Sequence, residues 1–307
     1  RRIVIAIGGN AIKPPSTPRA GGRPVWELLD QTASQIAQLA QRGDQVVLVH
    51  GNGPQVGTLL LAHEAAEGSP ALTLDVADAE TQGQLGYLIQ QTLGNHLRGL
   101  DSAWATAGLI TQVVVGENDP AFAAPTKPIG PEYSREQVGA FEVEKGWTLR
   151  EVHPGRWRRV VASPRPLEIV ELGAIEALLS AGVIPIVAGG GGIPVTRDGA
   201  TLRGIEAVVD KDLTAQLVAL NLAADTLAIL TDVDRAYLEF ESPDARPLDR
   251  LTVAEGWRYF RDGHFPMGPK VEACLRFIEG GGRSAVIAAL PSARGAADGL
   301  TGTVFAA

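Results

Sequence analysis

Apolar positions along the chain follow two spacings in turn. Short continuous runs at Ile3 to Ile7, "QVVLV" before His50, "VIPIV" from Val183, "TLAIL" from Thr226 and "SAVIAAL" from Ser284 have the length of buried strands. Between them, "VWELLDQTASQIAQLAQRG", "ADAETQGQLGYLIQQTLGNHLRG", "ELGAIEALLSAG", "DKDLTAQLVALNLAA" and "GPKVEACLRFIEGG" carry apolar residues at helical spacing. This alternation predicts a parallel α/β sheet, laid out as two halves of one fold. An apolar run near residue 112, "LITQVVVG", fits either a central strand or a strand of a second lobe. "PVTRDGATL" reads as a hairpin about its Asp-Gly turn. From Glu117 to about Pro166 the periodicity stops, and Pro, Gly, Trp and charge predominate. That stretch predicts an irregular excursion or lid carried on the core, ordered by its aromatics and by "RRVV".

Several predicted strands empty into small polar turns just before a helix: "IGGN" at Ile7 to Asn10, "HGNGP" at His50 to Pro54, and the run Gly189 to Gly192 after "VIPIVA". Pro54 suits a first helical position. Glycine is the default wherever a tight turn needs positive φ, so each turn has a purely structural reading. It also has a functional one, because exposed N–H groups at a helix start attract an anion. In open α/β sheets ligands lie beyond the carboxyl ends of the strands, where these turns fall.

Composition narrows the candidates. With 307 residues, 45% of them hydrophobic, the chain can bury a large core. A net charge of −8 argues against nucleic acid as partner. No apolar run reaches the roughly 18 residues of a membrane span, and no basic-then-apolar leader is seen before Arg1, so residence in the cytoplasm is expected. The one cysteine, Cys274, excludes an internal disulfide and sits at core spacing in "KVEACLRF". No Gly-Lys dipeptide occurs, which removes a Walker A loop, and the first strand does not lead into Gly-x-Gly-x-x-Gly. His50, His63, His96, His153 and His264 show no short metal spacing, so no protein metal site is expected. His50 reads either as a substrate contact or as a turn histidine satisfying backbone groups.

Lysine stands out against that background. Of 27 basic residues only Lys13, Lys127, Lys145, Lys211 and Lys270 are lysine. Lys211 and Lys270 open helices, and Lys127 lies in the proline-stiffened "PTKPIGP". A phosphoryl group in flight spreads charge over its equatorial oxygens, and compact cations beside glycine turns would meet it. Alone, each lysine reads equally as a solvated or ion-paired side chain. Lys211, between Asp210 and Asp212, is the sharpest case, since a helix N-terminus disfavours a cation unless an anion shares it.

"IGGNAI", "HGNGPQVG", "TQGQLGYLIQQ", "NDPAFAAPTKPIGP", "RWRRVVASP", "AGGGGIPV", "EAVVDKDLTAQLVA", "LAILTDVD" and "MGPKVEACLRFIEGGG", in that order, resemble the carbamate kinases of the amino-acid kinase family over essentially the whole chain. The resemblance implies a three-layer αβα sandwich in one domain, residues 1–307, with a mainly parallel central sheet. The half at about 1–180 would face the acceptor and the half at about 181–307 the nucleotide, with a small protruding subdomain at about 117–160. It implies a homodimer, ATP or ADP with Mg2+ on the nucleotide phosphates, and reversible phosphoryl transfer between ATP and carbamate, often run toward ATP from carbamoyl phosphate in arginine or purine fermentation. Carried over by position, Gly8, Gly9 and Asn10 would cradle the phosphoryl group and Gly51, Asn52 and Gly53 the carbamate. Lys211 would neutralise charge between donor and acceptor, Asp210 would organise the cations, and Asp212 would be a first-turn carboxylate. Lys127 would close over the site and Lys270 approach the nucleotide phosphates. Gly190, Thr231, Asp232, Val233, Met267 and Gly268 would border the nucleotide. The segment "GHFPMGPK" departs from the family by being shorter before Lys270. It keeps two other readings in view: a related enzyme phosphorylating another small carboxylic acid, and a non-catalytic binding protein.

Overall fold

A computed structural model describes residues 1–8, 24–66, 72–240, 242–265 and 267–307, with backbone alone over 24–28. Eight strands form the central sheet in the order Arg250–Thr252, Thr303–Ala306, Ser284–Ala289, Thr226–Thr231, Arg2–Ile7, Gln45–His50, Val183–Val187 and Ala105–Gly108. Neighbouring strands are parallel except where Thr303–Ala306 runs against Ser284–Ala289.

The continuous apolar runs follow from burial on both faces. Successive side chains of a strand point to opposite sides. Ile3, Ile5 and Ile7 therefore pack with Leu48 and Leu230 against Ile36, Leu39, Leu85 and Ile89, from the helices Pro24–Gln41 and Leu74–Gly99. Val4 and Ala6 pack with Val49 and Ile229 against Val218, Leu275 and Phe277, from the helices Lys211–Asn221 and Gly268–Glu279. Cys274 lies in this second layer with no exposed surface, the core thiol its spacing predicted. The three layers are those of the expected sandwich.

Arg2–Ile7 is the seam of the molecule. One neighbour, Gln45–His50, comes from the first half of the chain and the other, Thr226–Thr231, from the second, with Ile7 level with both His50 and Leu230. The Gly8 amide donates to the Leu230 carbonyl at 3.1 Å and the Gly51 amide to that of Ile7 at 2.9 Å. Polar turns from the two halves thus emerge side by side at the carboxyl edge of the sheet.

Three smaller sheets occur among the described residues, one of them the two-stranded pair Tyr237–Leu238 and Arg246–Pro247. The run near residue 112 becomes Gln112–Val115 in a four-stranded sheet with Thr201–Gly204, Ile193–Asp198 and Pro166–Ile169, so it is a second-sheet strand. The stretch read as an irregular excursion is regular instead. Lys127–Tyr133, Thr148–His153 and Arg156–Val161 form an antiparallel sheet beside the helix Arg135–Lys145. Its small core of Tyr133, Val138 and Leu149, joined by Phe141, Trp147 and Trp157, explains why no long apolar period marks it. Lys145 and Arg159 both lie over the Trp147 ring, at 4.4 and 4.8 Å from its centre. Among the described residues no helix is long and apolar enough to cross a membrane.

The subdomain docks on the helix Gly53–Ala65, where Val56, Leu59 and Leu60 pack with Ile129 and Val161 and the two backbones meet at Gly57 and Gly130. A Cβ on Gly57 would stand 2.6 Å from the Gly130 Cα, with no flexible atom to yield. Gly57→Ala is therefore expected to lever the three-stranded sheet off the body, seen as faster amide exchange over Lys127–Tyr133 and Arg156–Val161. Gly139→Ala, on an exposed helix position with nothing within 4 Å, should leave exchange unchanged and stabilise by about 0.5–1 kcal/mol in denaturant unfolding.

Candidate active site

The helix Lys211–Asn221 begins at the seam, and its first turn carries a dense arrangement of charge. Asp210 is its N-cap: Oδ1 accepts from the amides of Asp212 at 2.9 Å and Leu213 at 3.5 Å. That leaves Oδ2 for Lys127, whose Nζ lies 2.6 Å away across 83 residues of sequence. Asp212 then receives Lys211 at 2.5 Å on Oδ1 and Lys270 at 3.1 Å on Oδ2. Lys127 arrives from the subdomain, Lys270 from the first turn of the helix Gly268–Glu279, and Lys211 from its own helix. All three lysines predicted to act together converge through two neighbouring carboxylates.

The acids divide their roles differently from expectation. Asp210, expected to organise the cations, spends one oxygen on the helix cap, takes Lys127 on the other, and acts on Lys211 and Lys270 through its charge. Asp212, expected to be an ordinary first-turn carboxylate, bridges Lys211 and Lys270. Burial raises the cost of its charge, but the two lysines outweigh that and bring its pKa down to about 2. Asp212 is thus ionised at any ordinary pH, and its contribution to stability is lost only as pH falls from the usual carboxylate range toward 2. Burial, reinforced by the charge of Lys270, lowers the Lys211 pKa, while Asp212 opposes the shift. Burial also acts to lower Lys270, yet Asp212, Asp210 and Asp232 together raise it. Two lysines on one carboxylate leave a net positive charge in a nearly dry place, a setting that favours an anion.

Opposite this cluster lie the turns of the first half. Asn52 is buried and caps the helix Gly53–Ala65, with Pro54 in its first turn as predicted. Its Nδ2 donates to Thr81 Oγ1 at 2.8 Å and to Asp78 Oδ1, both on the helix Leu74–Gly99. The Gln82 amide spans to the carbonyls of Thr111 at 3.2 Å and Gly189 at 3.0 Å, and its Oε1 accepts from the Thr111 amide at 2.8 Å. His50 is wholly buried. Burial lowers its pKa to about 4, and the charge of Lys211 pushes the same way, so a neutral imidazole faces the cluster. Its Nδ1 lies 3.3 Å from the Gly51 carbonyl.

The tetraglycine joins the two sides. Gly190, at φ +70°, leaves no room for a side chain between Asn52 and Asp78, and a Cβ on Gly191 would strike the Val209 carbonyl. Gly190 was expected along the nucleotide. A Cβ on it would meet the Asn52 and Asp78 side chains.

The other predicted positions fall along the same edge. Gly8 ends the first strand, and Thr231 ends Thr226–Thr231, followed by Asp232 and Val233. Met267 caps the helix that Gly268 opens, and it packs partly buried against the core layer. Gly9 and Asn10 lie outside the described residues. Among the described residues, no three His, Cys, Asp or Glu side chains gather to hold a metal ion. The nearest carboxylates, Asp210 and Asp212, are already taken up by lysines.

The profile of the Amino acid kinase family matches residues 1–289. The carbamate kinase of Thermococcus kodakarensis is 46% identical over 99% of this chain and 98% of its own length. That of Clostridium perfringens is 43% identical over 98% of each. Among solved structures, carbamate kinase from Giardia lamblia bound to AMP-PNP superposes with a TM-score of 0.87 at 38% identity, covering 99% of this chain and 98% of that one. Family profile and relatives span nearly the full length, and the chain belongs to the amino acid kinase family, in its carbamate kinase branch.

Proposed function

We propose that the protein is a carbamate kinase, transferring a phosphoryl group reversibly between ATP and carbamate, with ADP and carbamoyl phosphate on the other side. The observation that carries this reading is Asp212 holding Lys211 and Lys270 together, with Lys127 alongside on Asp210. Little covalent chemistry is asked of a protein in phosphoryl transfer; it must align donor and acceptor and meet charge that builds on the transferred group. A fixed pair of ammonium groups at a helix N-terminus does this without reorganising. Lys211 is read as the cation between donor and acceptor, Lys270 as the contact to the nucleotide phosphates, and Lys127 as the group that the subdomain brings over the anion.

Carbamate is read as lying at Gly51, Asn52 and Gly53, and the phosphoryl group at Gly8 with Gly9 and Asn10. Thr231, Asp232, Val233, Met267 and Gly268 are read as the nucleotide border. The nucleotide's magnesium would neutralise phosphate charge and is read as riding on the phosphates, because Asp210 and Asp212 are engaged by lysines. The AMP-PNP bound by the Giardia lamblia structure supports the nucleotide assignment. The setting that goes with this reading is a cytoplasmic, ATP-forming step in arginine breakdown.

A homodimer is part of the same reading. Ala105–Gly108 is an edge strand of the central sheet, and beside it a groove of about 550 Å³ runs under the helix Leu74–Gly99. Tyr87 and Ile110 stand there 59% and 48% exposed. An unprotected edge flanked by apolar side chains is a surface for a second chain.

Purified protein with ADP, magnesium and carbamoyl phosphate is expected to form ATP, and folded protein giving none would remove the reading. The shortened segment before Lys270 makes a panel of small carboxylic acids with ATP the companion assay; a preferred larger acid would replace carbamate. Lys211→Ala should lower kcat by on the order of 10²–10³ while the KM for ADP moves little, since its charge is matched to the transition state. Asp212→Ala, which strands two lysines, should cost roughly 3–5 kcal/mol in denaturant unfolding. Tyr87→Asp should shift the particle mass in light scattering from dimer to monomer.

A further inference from the structure

Among the described residues, Asp78 is a buried acid at the candidate site that the lysines do not compensate. It is 6% exposed, and Lys127, Lys211 and Lys270 are taken up by Asp210 and Asp212. Its Oδ1 accepts from the Asn52 amide, and Gly190 leaves no room for a side chain beside it. Its Oδ2 is buried without a hydrogen bond among the described residues, the neighbouring Gln82 amide being turned to the carbonyls of Thr111 and Gly189. The charged and titratable groups around it offer no relief. Asp75 lies on its own helix and adds negative charge, and His50, at the end of Gln45–His50, is neutral. Glu206 accepts from the Leu74 amide at the start of that helix, at 2.8 Å. Lys211 acts on His50 but is spent on Asp212.

We propose that Asp78, whose Oδ1 fixes Asn52, sets the affinity of the Asn52 side for anions: while protonated it admits an anionic acceptor, and once ionised it opposes that anion. This rests on reading Gly51 to Gly53 as the acceptor turn. An ionised Asp78 would face the acceptor with only neutral amides beside it, and like charges in a poorly solvated place repel strongly. Burial, with Asp75 adding to it, pushes the carboxyl up to about 7, and the hydrogen bond from the Asn52 amide only partly offsets the shift. The proton is therefore held below neutrality and lost as pH rises through it, so affinity is highest on the acid side.

The test compares the parent protein with Asp78→Asn, which keeps an acceptor for the Asn52 amide and removes the charge. Calorimetric binding of carbamoyl phosphate is measured at pH 6 and pH 8, so that the ligand's own ionisation cancels between the two proteins. The ratio of parent Kd to variant Kd is expected near one at pH 6 and roughly fivefold higher at pH 8, a coupling within the usual range for two linked sites. In turnover the same change should appear in KM for carbamoyl phosphate and leave kcat within about twofold. A ratio that is the same at both pH values, or parent binding that tightens toward pH 8, would overturn the proposal. Should Asp78→Asn fail to fold, Asp78→Ser removes the same charge and is held to the same ratios. Parent protein that forms no ATP yet binds carbamoyl phosphate with this pH dependence would sink the kinase reading and leave the role of Asp78 standing.

Discussion

The site is organised by one buried carboxylate between two ammonium groups. Asp212 holds Lys211 at 2.5 Å and Lys270 at 3.1 Å, and neither lysine would keep its charge easily at that depth without it. The bridge also joins the starts of two helices, Lys211–Asn221 and Gly268–Glu279, which pack together beneath the same face of the sheet. A single interaction therefore fixes both the distance between two cations and the approach of the elements that carry them. The helix cap made by Asp210 works in the same direction, since it turns the free oxygen of that residue toward Lys127.

The central sheet supplies the frame. Because Arg2–Ile7 is flanked by a strand from each half of the chain, turns that are far apart in sequence meet at its carboxyl end. Gly190 and Gly191 then close the distance between the Asn52 turn and the start of the Lys211 helix, where side chains would hold them apart. Lys127 enters from a third direction, on a subdomain whose contact with the body includes a glycine-to-glycine approach at Gly57 and Gly130. Acceptor turn, cation cluster and subdomain are thus positioned by separate pieces of structure that converge on one edge.

Much of this was legible in the chain, and the rest was hidden for identifiable reasons. Buried strands such as Ile3–Ile7 declare themselves as continuous apolar runs, and the glycine turns follow them directly. Lys211 and Lys270 could be placed at helix starts, and Lys127 in a stiff loop. The bridge could not be read, because Asp212 and Lys270 are 58 residues apart and a carboxylate in a first turn already has a sufficient local explanation. Asp78 looks like one more polar position in "ADAETQG" until the Gly190 turn is folded onto it. The subdomain escaped as regular structure because its core is only a few side chains deep. Even so, "SREQ" held the capping box that starts Arg135–Lys145, and "TVAE" the one that starts Val253–Arg261. Ala105–Gly108 gave no signal, since "ATAG" at a sheet edge buries too little apolar surface to stand out.

The central claim is that Asp212 acts through the lysines it holds, and a double-mutant cycle on kcat/KM for carbamoyl phosphate tests it most directly. Asp212→Asn is measured in the parent and in a Lys211→Met, Lys270→Met background. The account predicts a loss on the order of 10²-fold in the parent and little further loss once both lysines are gone, because effects within one unit do not add. Equal losses in the two backgrounds would show that Asp212 acts independently of the lysines and would contradict the account.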